Sequence, residues 1–177
     1  GFVEKPPPGE APSDWINAGT YVLEASVLGT IPSSRAVSIE RETFPGLLQR
    51  DAKLYALAAP GYWLDIGTPS KYLQANLDRL ADGASLCPPD ATVAGGATVE
   101  SSVLGPGAVV EDGARVVRSV LLEGARVEAG AVVADSVVGA AAVVGAGAVV
   151  EAVSIIGPGA SVPPRARLAG ARVEATA

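Results

Sequence analysis

The chain has 177 residues, 49% hydrophobic and 18% charged, with a formal net charge of −6 and a pI of about 4.6. A half-apolar, acidic chain of this length is neither wholly disordered nor built as a nucleic-acid platform, and it has room for one large or two small domains. The single cysteine, Cys87, excludes a disulfide framework, and the absence of His excludes imidazole-based catalysis and the usual zinc sites. Cysteine usage points to a reducing, cytoplasmic setting, and no signal peptide or membrane-spanning run is legible. The chain contains no Met and opens GFVEKPPPGE, so it is expected to be the interior of a longer protein.

Elements are expected in the following order. Phe2-Val3 ends a strand, and PPPGEAPSD forms a turn-rich surface loop. In INAGTYVLEASVL the run Tyr21-Val22-Leu23 reads as a buried strand leading into a short helix. SIERETFPGLLQR starts a helix at Ser38, with Glu40 and Glu42 favouring its positive end and Pro45 expected to divide it. KLYALAA is strand-like. In TPSKYLQANLDRLADG, Thr68 caps, Pro69 takes the first helical position, Tyr72, Leu73, Asn76, Leu77 and Leu80 form the inner stripe, and Gly83 closes the helix. Alternating strands and helices over 1–83 predict part of an α/β domain rather than a whole one.

From Ala91 a period appears. LGPGAVVEDGARVVRSV, LLEGARVEAGAVVADSV and VGAAAVVGAGAVVEAVS align at seventeen-residue spacing, starting at 104, 121 and 138. A branched apolar residue recurs after six, six and five positions, from Val93 through Val99, Leu104 and Val110 to Val150. Ile156, Val162, Leu168 and Val173 continue the series once one five-step becomes a six-step. Collagen requires Gly at every third place and a coiled coil a 3.5-residue repeat, so neither fits. The pattern predicts a solenoid of triangular coils over 84–177, each face supplying a very short strand with one inward Val, Leu or Ile. Ala108, Ala114, Ala125 and Ala131 fit close to the corners, and Gly107, Gly113, Gly124 and Gly130 ease the bends. About five coils at about 4.8 Å give a prism on the order of 24 Å long.

The chemistry-bearing residues lie in the first half. Asp65, in GYWLDIGTP, is read either as a turn residue that binds backbone amides or as a carboxylate holding a divalent cation, since magnesium needs only one or two carboxylates beside phosphate oxygens. Glu4-Lys5-Pro6 offers an acceptor and a point charge suited to a phosphate, or a plain solvated pair. Asn17-Ala18-Gly19 offers an amide suited to a diol, or a turn. Arg35 and Glu40 are read as surface groups.

FVEKP, INAGTYVLE, SIERETFPGLL and GYWLDIGTPSKYLQAN, in this order, resemble the sugar-phosphate nucleotidyltransferases (NDP-sugar pyrophosphorylases), and most closely their mannose-1-phosphate guanylyltransferase branch. The resemblance implies a partial, Rossmann-like α/β nucleotidyltransferase domain with its linking helix over 1–83. The hexapeptide repeats of 84–177 likewise resemble the left-handed parallel β-helix family, which supplies the hand. The implied reaction joins a nucleoside triphosphate to a sugar 1-phosphate with Mg2+ and releases pyrophosphate, with GTP and mannose 1-phosphate as the expected pair. Glucose 1-phosphate with a thymidine, adenosine or uridine nucleotide is the alternative. By resemblance Lys5 contacts the sugar phosphate, Glu4 holds sugar hydroxyls, Asn17 and Gly19 belong to the sugar pocket, Trp63 walls it, and Asp65 is the second metal aspartate. The family's Gly-rich nucleotide loop and its first metal aspartate have no counterpart in these residues, so the chain alone is expected to be inactive.

Two other readings stand beside this one. A hexapeptide acyltransferase shares the repeat, but such enzymes rely on a histidine. A non-catalytic assembly module is the other, because coil ends and Val-rich faces favour self-association into a homo-oligomer.

Overall fold

The computed structural model describes residues 6–175. Two compact units divide the chain, Gly1–Trp63 and Leu64–Ala177.

The first unit contains helix α1 (Ala25–Leu28), a π-helical turn (Ile39–Thr43) and helix α2 (Phe44–Gln49) that continues from it. The Ser38 hydroxyl accepts from the Arg41 N–H at 3.2 Å, so the expected start is kept. Pro45 does not divide the helix. It sits in the first turn of α2, where its missing N–H costs nothing, and the wide turn before it absorbs the misfit. Phe44 and Leu47 are buried, and the Tyr21 ring stands edge-on to Phe44 at 4.9 Å and 74°.

The two strands expected here do not form. Tyr21-Val22-Leu23 and residues 53–59 run as irregular chain, with Val22 and Leu57 almost fully exposed. A strand exists through a neighbour's hydrogen bonds, and the described residues of this unit offer none. The strand expected at Phe2-Val3 lies outside the described residues.

The second unit begins with helix α3 (Pro69–Leu77), capped by the Thr68 hydroxyl, which accepts from Lys71 N–H. It ends five residues earlier than the sequence suggests. The Asp78, Arg79 and Leu80 amides turn back to Gln74, Asn76 and Leu77, and Gly83 serves a separate tight turn at φ +72°.

Among the described residues, fifteen short parallel strands then wind into a three-sided prism, each face a five-stranded sheet. The first face holds Thr92–Val93, Val109–Val110, Arg126–Val127, Val143–Val144 and Ser161–Val162. The second holds Thr98–Glu100, Arg115–Val117, Val132–Ala134, Val149–Glu151 and Arg167–Ala169. The third holds Val103–Leu104, Val120–Leu121, Val137–Val138, Ile155–Ile156 and Arg172–Val173. Each inward residue stacks on its counterpart in the next coil, as in Val99↔Val116 and Val116↔Val133. From Leu104 to Val162 the inward series is buried, with Ala108, Ala114, Ala125 and Ala131 closing the interior. Val93 departs from the pattern. It is 40% exposed, because it lies in the outermost coil.

One corner carries a ladder of hydroxyls that the apolar period conceals. Ser85, Ser102, Ser119, Ser136 and Ser154 stack one per coil. Each of the last four donates its hydroxyl to a carbonyl two or three residues back, and Ser85 donates to Val99. Every one accepts an amide from the coil above, at 3.0 to 3.2 Å. Among the described residues no buried side-chain polar atom lacks a partner. The longer coil absorbs its extra residue at this corner, where Ala152 and Val153 both take positive φ, and the strands on either side keep register.

Helix α3 lies on the third face. Leu73 packs against outward-facing Val120 and Val137, with Tyr72, Leu77, Val103, Leu122 and Ile155 around them. Burying this apolar stripe is what holds a nine-residue helix that would be marginal in isolation.

Candidate functional site

In the first unit the Asn17 segment folds back upon itself. The Asn17 Oδ1 accepts from the Gly19 N–H at 3.0 Å, a turn that places Gly19 at φ +72° with open space around its α-carbon. The Asn17 amide nitrogen donates to the Tyr21 hydroxyl and to Glu40 Oε1, the latter at 3.2 Å. The Tyr21 hydroxyl donates to the same oxygen at 2.8 Å. Glu40 is therefore no idle surface group. It is half-buried at the start of the π-helical turn and gathers two donors on one oxygen. Tyr21 and Glu40 are the site residues that sequence reasoning missed. They stand nineteen positions apart, a separation no local spacing connects.

This cluster can present an amide and a carboxylate in fixed geometry. Both amide hydrogens are engaged, while Asn17 Oδ1 keeps a second lone pair and Glu40 Oε2 makes no hydrogen bond among the described residues. The site thus offers acceptors, the requirement for holding hydroxyls.

Arg35 does remain at the surface, paired with Glu42 at 2.6 Å. That bond, together with the Ser38 N–H, holds the Glu42 carboxyl below its ordinary range, and the same pairing raises the Arg35 guanidinium. An open groove of about 340 Å³ is lined by Thr30, Arg35, Glu42, Thr43, Gln49 and Arg50 among others. Of the expected site residues, none of those among the described residues lines it.

Asp65, in the second unit, is exposed and its Oδ1 accepts from the Gly67 N–H at 3.1 Å. This is the turn geometry of the structural reading, and it leaves Oδ2 free for another partner. Among the described residues no group of three or more His, Cys, Asp or Glu is placed to hold a metal ion. A single hard carboxylate still suits magnesium when phosphate oxygens and water complete the shell, so Asp65 fits as one ligand and cannot form a site by itself. Trp63 closes the first unit and is 48% exposed. Glu4 and Lys5 lie outside the described residues. No helix among the described residues is long and apolar enough to cross a membrane.

Residues 1–82 match the family model described as "Nucleotidyl transferase", which sets the class of the first part of the chain. Residues 81–176 match the model described as "GMPPB C-terminal domain". The chain therefore belongs to the nucleotidyltransferase family with a C-terminal left-handed parallel β-helix, related to the mannose-1-phosphate guanylyltransferases. It is 45% identical over 78 residues to "Mannose-1-phosphate guanylyltransferase" of Mycobacterium tuberculosis, covering 44% of this chain and 21% of that protein. It is 50% identical over 72 residues to "Mannose-1-phosphate guanyltransferase" of Pichia angusta, covering 41% and 19%. Against "Probable mannose-1-phosphate guanylyltransferase 3" of Oryza sativa subsp. japonica, identity is 36% over 130 residues, covering 58% and 35%. The chain thus spans between about a fifth and a third of the length of these relatives.

Proposed function

We propose that this chain is the sugar side and the β-helix of an NDP-sugar pyrophosphorylase that makes GDP-mannose from GTP and mannose 1-phosphate. The observation that carries the reading is the pair of abutting family matches, nucleotidyltransferase then β-helix, with relatives named for that activity at 45% and 50% identity. In this reading residues 1–83 are the end of the catalytic domain with its linking helix, and 84–177 form the β-helix through which the protein self-associates.

The chemistry is an in-line attack by the sugar phosphate oxygen on the α-phosphorus of the nucleotide, for which no covalent nucleophile is required. Lys5 carries positive charge to the sugar phosphate. Asn17, Gly19 and Glu4 hold the sugar hydroxyls, with Tyr21 and Glu40 fixing the Asn17 amide and Trp63 walling the pocket. Asp65 would hold Mg2+, which supplies neutralisation of charge on the phosphoryl oxygens and leaving pyrophosphate. The residues 1–177 contain one candidate metal carboxylate and no Gly-rich nucleotide loop, so by themselves they are expected to be inactive.

A pyrophosphate-release assay on the full-length protein, across four nucleoside triphosphates and both mannose and glucose 1-phosphate, tests this. Preference for GTP with mannose 1-phosphate is expected, and preference for another pair would overturn the assignment. Turnover by the pure 177-residue chain would overturn the view that it lacks the nucleotide side.

A further inference from the structure

We propose that the second face of the prism is a docking surface for a second copy of this chain, with the two prisms side by side and pointing the same way. The proposal rests on the reading that the β-helix mediates self-association, and it names the face and the geometry.

The three faces differ in what their outward residues have left to bind. Helix α3 covers the earlier strands of the third, and the last two border a shallow groove of about 270 Å³. On the first, charge is consumed within the chain. Arg126 pairs with Glu111 at 2.8 Å, Glu111 also accepts from Ala129 N–H, and Glu128 accepts from Ala146 N–H. The second face has Glu100, Arg115, Glu151 and Arg167 exposed, and none of their side chains makes a hydrogen bond or ion pair among the described residues. Between them lie half-buried Val117, Val132, Ala134 and Val149.

The order of those charges fixes the partner. The strand register sets two outward columns, Thr98-Arg115-Val132-Val149-Arg167 and Glu100-Val117-Ala134-Glu151-Ala169. All the basic residues stand in the first column and all the acidic ones in the second. A two-fold axis parallel to the prism sets the first column of one copy against the second column of the other. Arg115 then meets Glu100 of the other copy, and Arg167 meets its Glu151, each one coil or about 4.8 Å along the axis. Symmetry makes four pairs, with Val132 opposite Ala134 at the centre. A two-fold axis across the prism instead sets the first column on itself, bringing Arg115 within one coil of the other copy's Arg167. The parallel arrangement is the one that the charges select. The face is about 24 Å tall and about 10 Å wide across its three residues, small beside a standard interface. The association is therefore weak and governed by these exposed pairs.

Sedimentation over a concentration series tests the proposal with the full chain. Self-association is expected, and it is expected to fall away near 1 M salt, where the Debye length is about 3 Å. The double variants Arg115→Glu/Arg167→Glu and Glu100→Arg/Glu151→Arg are each expected to halve the measured mass while keeping the β-sheet circular dichroism. An equimolar mixture of the two is expected to re-associate, since each supplies the charge that the other needs. In a Cys87→Ser background, Val132→Cys in one copy is expected to cross-link to Ala134→Cys in another, and two Val132→Cys copies are not. A protein that is monomeric throughout refutes both the assembly reading and this face. Association that survives both charge reversals, or a cross-link between two Val132→Cys copies, refutes the face or its geometry and leaves the assembly reading standing.

Discussion

Replacing Ser119 with Ala removes one oxygen from the middle of the serine ladder, and the consequences can be followed bond by bond. The Ser119 hydroxyl donates to Val117 O at 2.8 Å and accepts from the Ser136 N–H at 3.1 Å. Val117 O keeps a second donor, the Asp135 N–H at 3.0 Å, so that carbonyl remains satisfied. The Ser119 amide still donates to the Ser102 hydroxyl. What is left is the Ser136 N–H, at a residue with no exposed surface, facing a methyl group. An orphaned buried donor costs about 1–3 kcal/mol, and the hole vacated by one oxygen is too small to admit water, so a loss of about 2 kcal/mol is expected. In a unit of this size that lowers the melting temperature by about 8 °C. Thermal unfolding followed by circular dichroism measures it. Ser154→Ala serves as an internal comparison, because the amide it orphans belongs to the less deeply buried Ala171. A Ser119→Ala protein melting within about 1 °C of the parent, a change of only a few tenths of a kcal/mol, would show that the hydroxyl ladder does not hold the coils together.

Gly139→Ala would set a Cβ 2.6 Å from Pro158 N and 2.8 Å from Ile156 O, backbone of the next coil, and is expected to cost roughly 3 kcal/mol in chemical denaturation. Gly107→Ala meets nothing within 4 Å at φ +64° and is expected to cost only about 1 kcal/mol; Ala141, two coils on, already holds φ +54°. Leu73→Ala is expected to lose about 2–3 kcal/mol and to release α3 from the third face, seen as faster amide exchange over 72–77 with the prism unchanged. The Glu42 carboxyl is held below its ordinary value, so its contribution to stability is present above the unfolded pKa and is lost as pH falls through the folded one. Glu42→Gln is expected to flatten the stability–pH profile from about pH 4.5 downward, and above that to lower it uniformly without changing its slope. Asp65→Asn in the full-length protein is expected to abolish most turnover while leaving the melting temperature within a degree or two, because an amide oxygen can still accept from Gly67 but binds magnesium poorly; retained turnover would return Asp65 to a purely structural role.

The prism was legible because its rule is written along one dimension. An inward Val, Leu or Ile every fifth or sixth residue is a local pattern, and stacking coils repeat it without help from distant chain. The same arithmetic holds the serine ladder, but the small hydroxyl residues are easily passed over when the eye follows apolar side chains. The first unit resists such reading. Tyr21-Val22-Leu23 has the composition of a strand, and composition is not a hydrogen-bond partner. Helix α3 was legible at its start, where Thr68 and Pro69 act locally, and misread at its end, where three amides turn back before Gly83 is reached. Asn17 carried a signal of its own through its Gly-containing turn. Glu40 did not, because its role arises only when a chain segment nineteen residues away bends toward it.

The surplus residue at Ala152 and Val153 says where this architecture can grow. The sheets on both sides of that corner continue undisturbed, so coil length is free to vary at an edge while every flat surface stays fixed. Peptides spliced between Ala152 and Val153 would hang outside the stack like a tab on a folder.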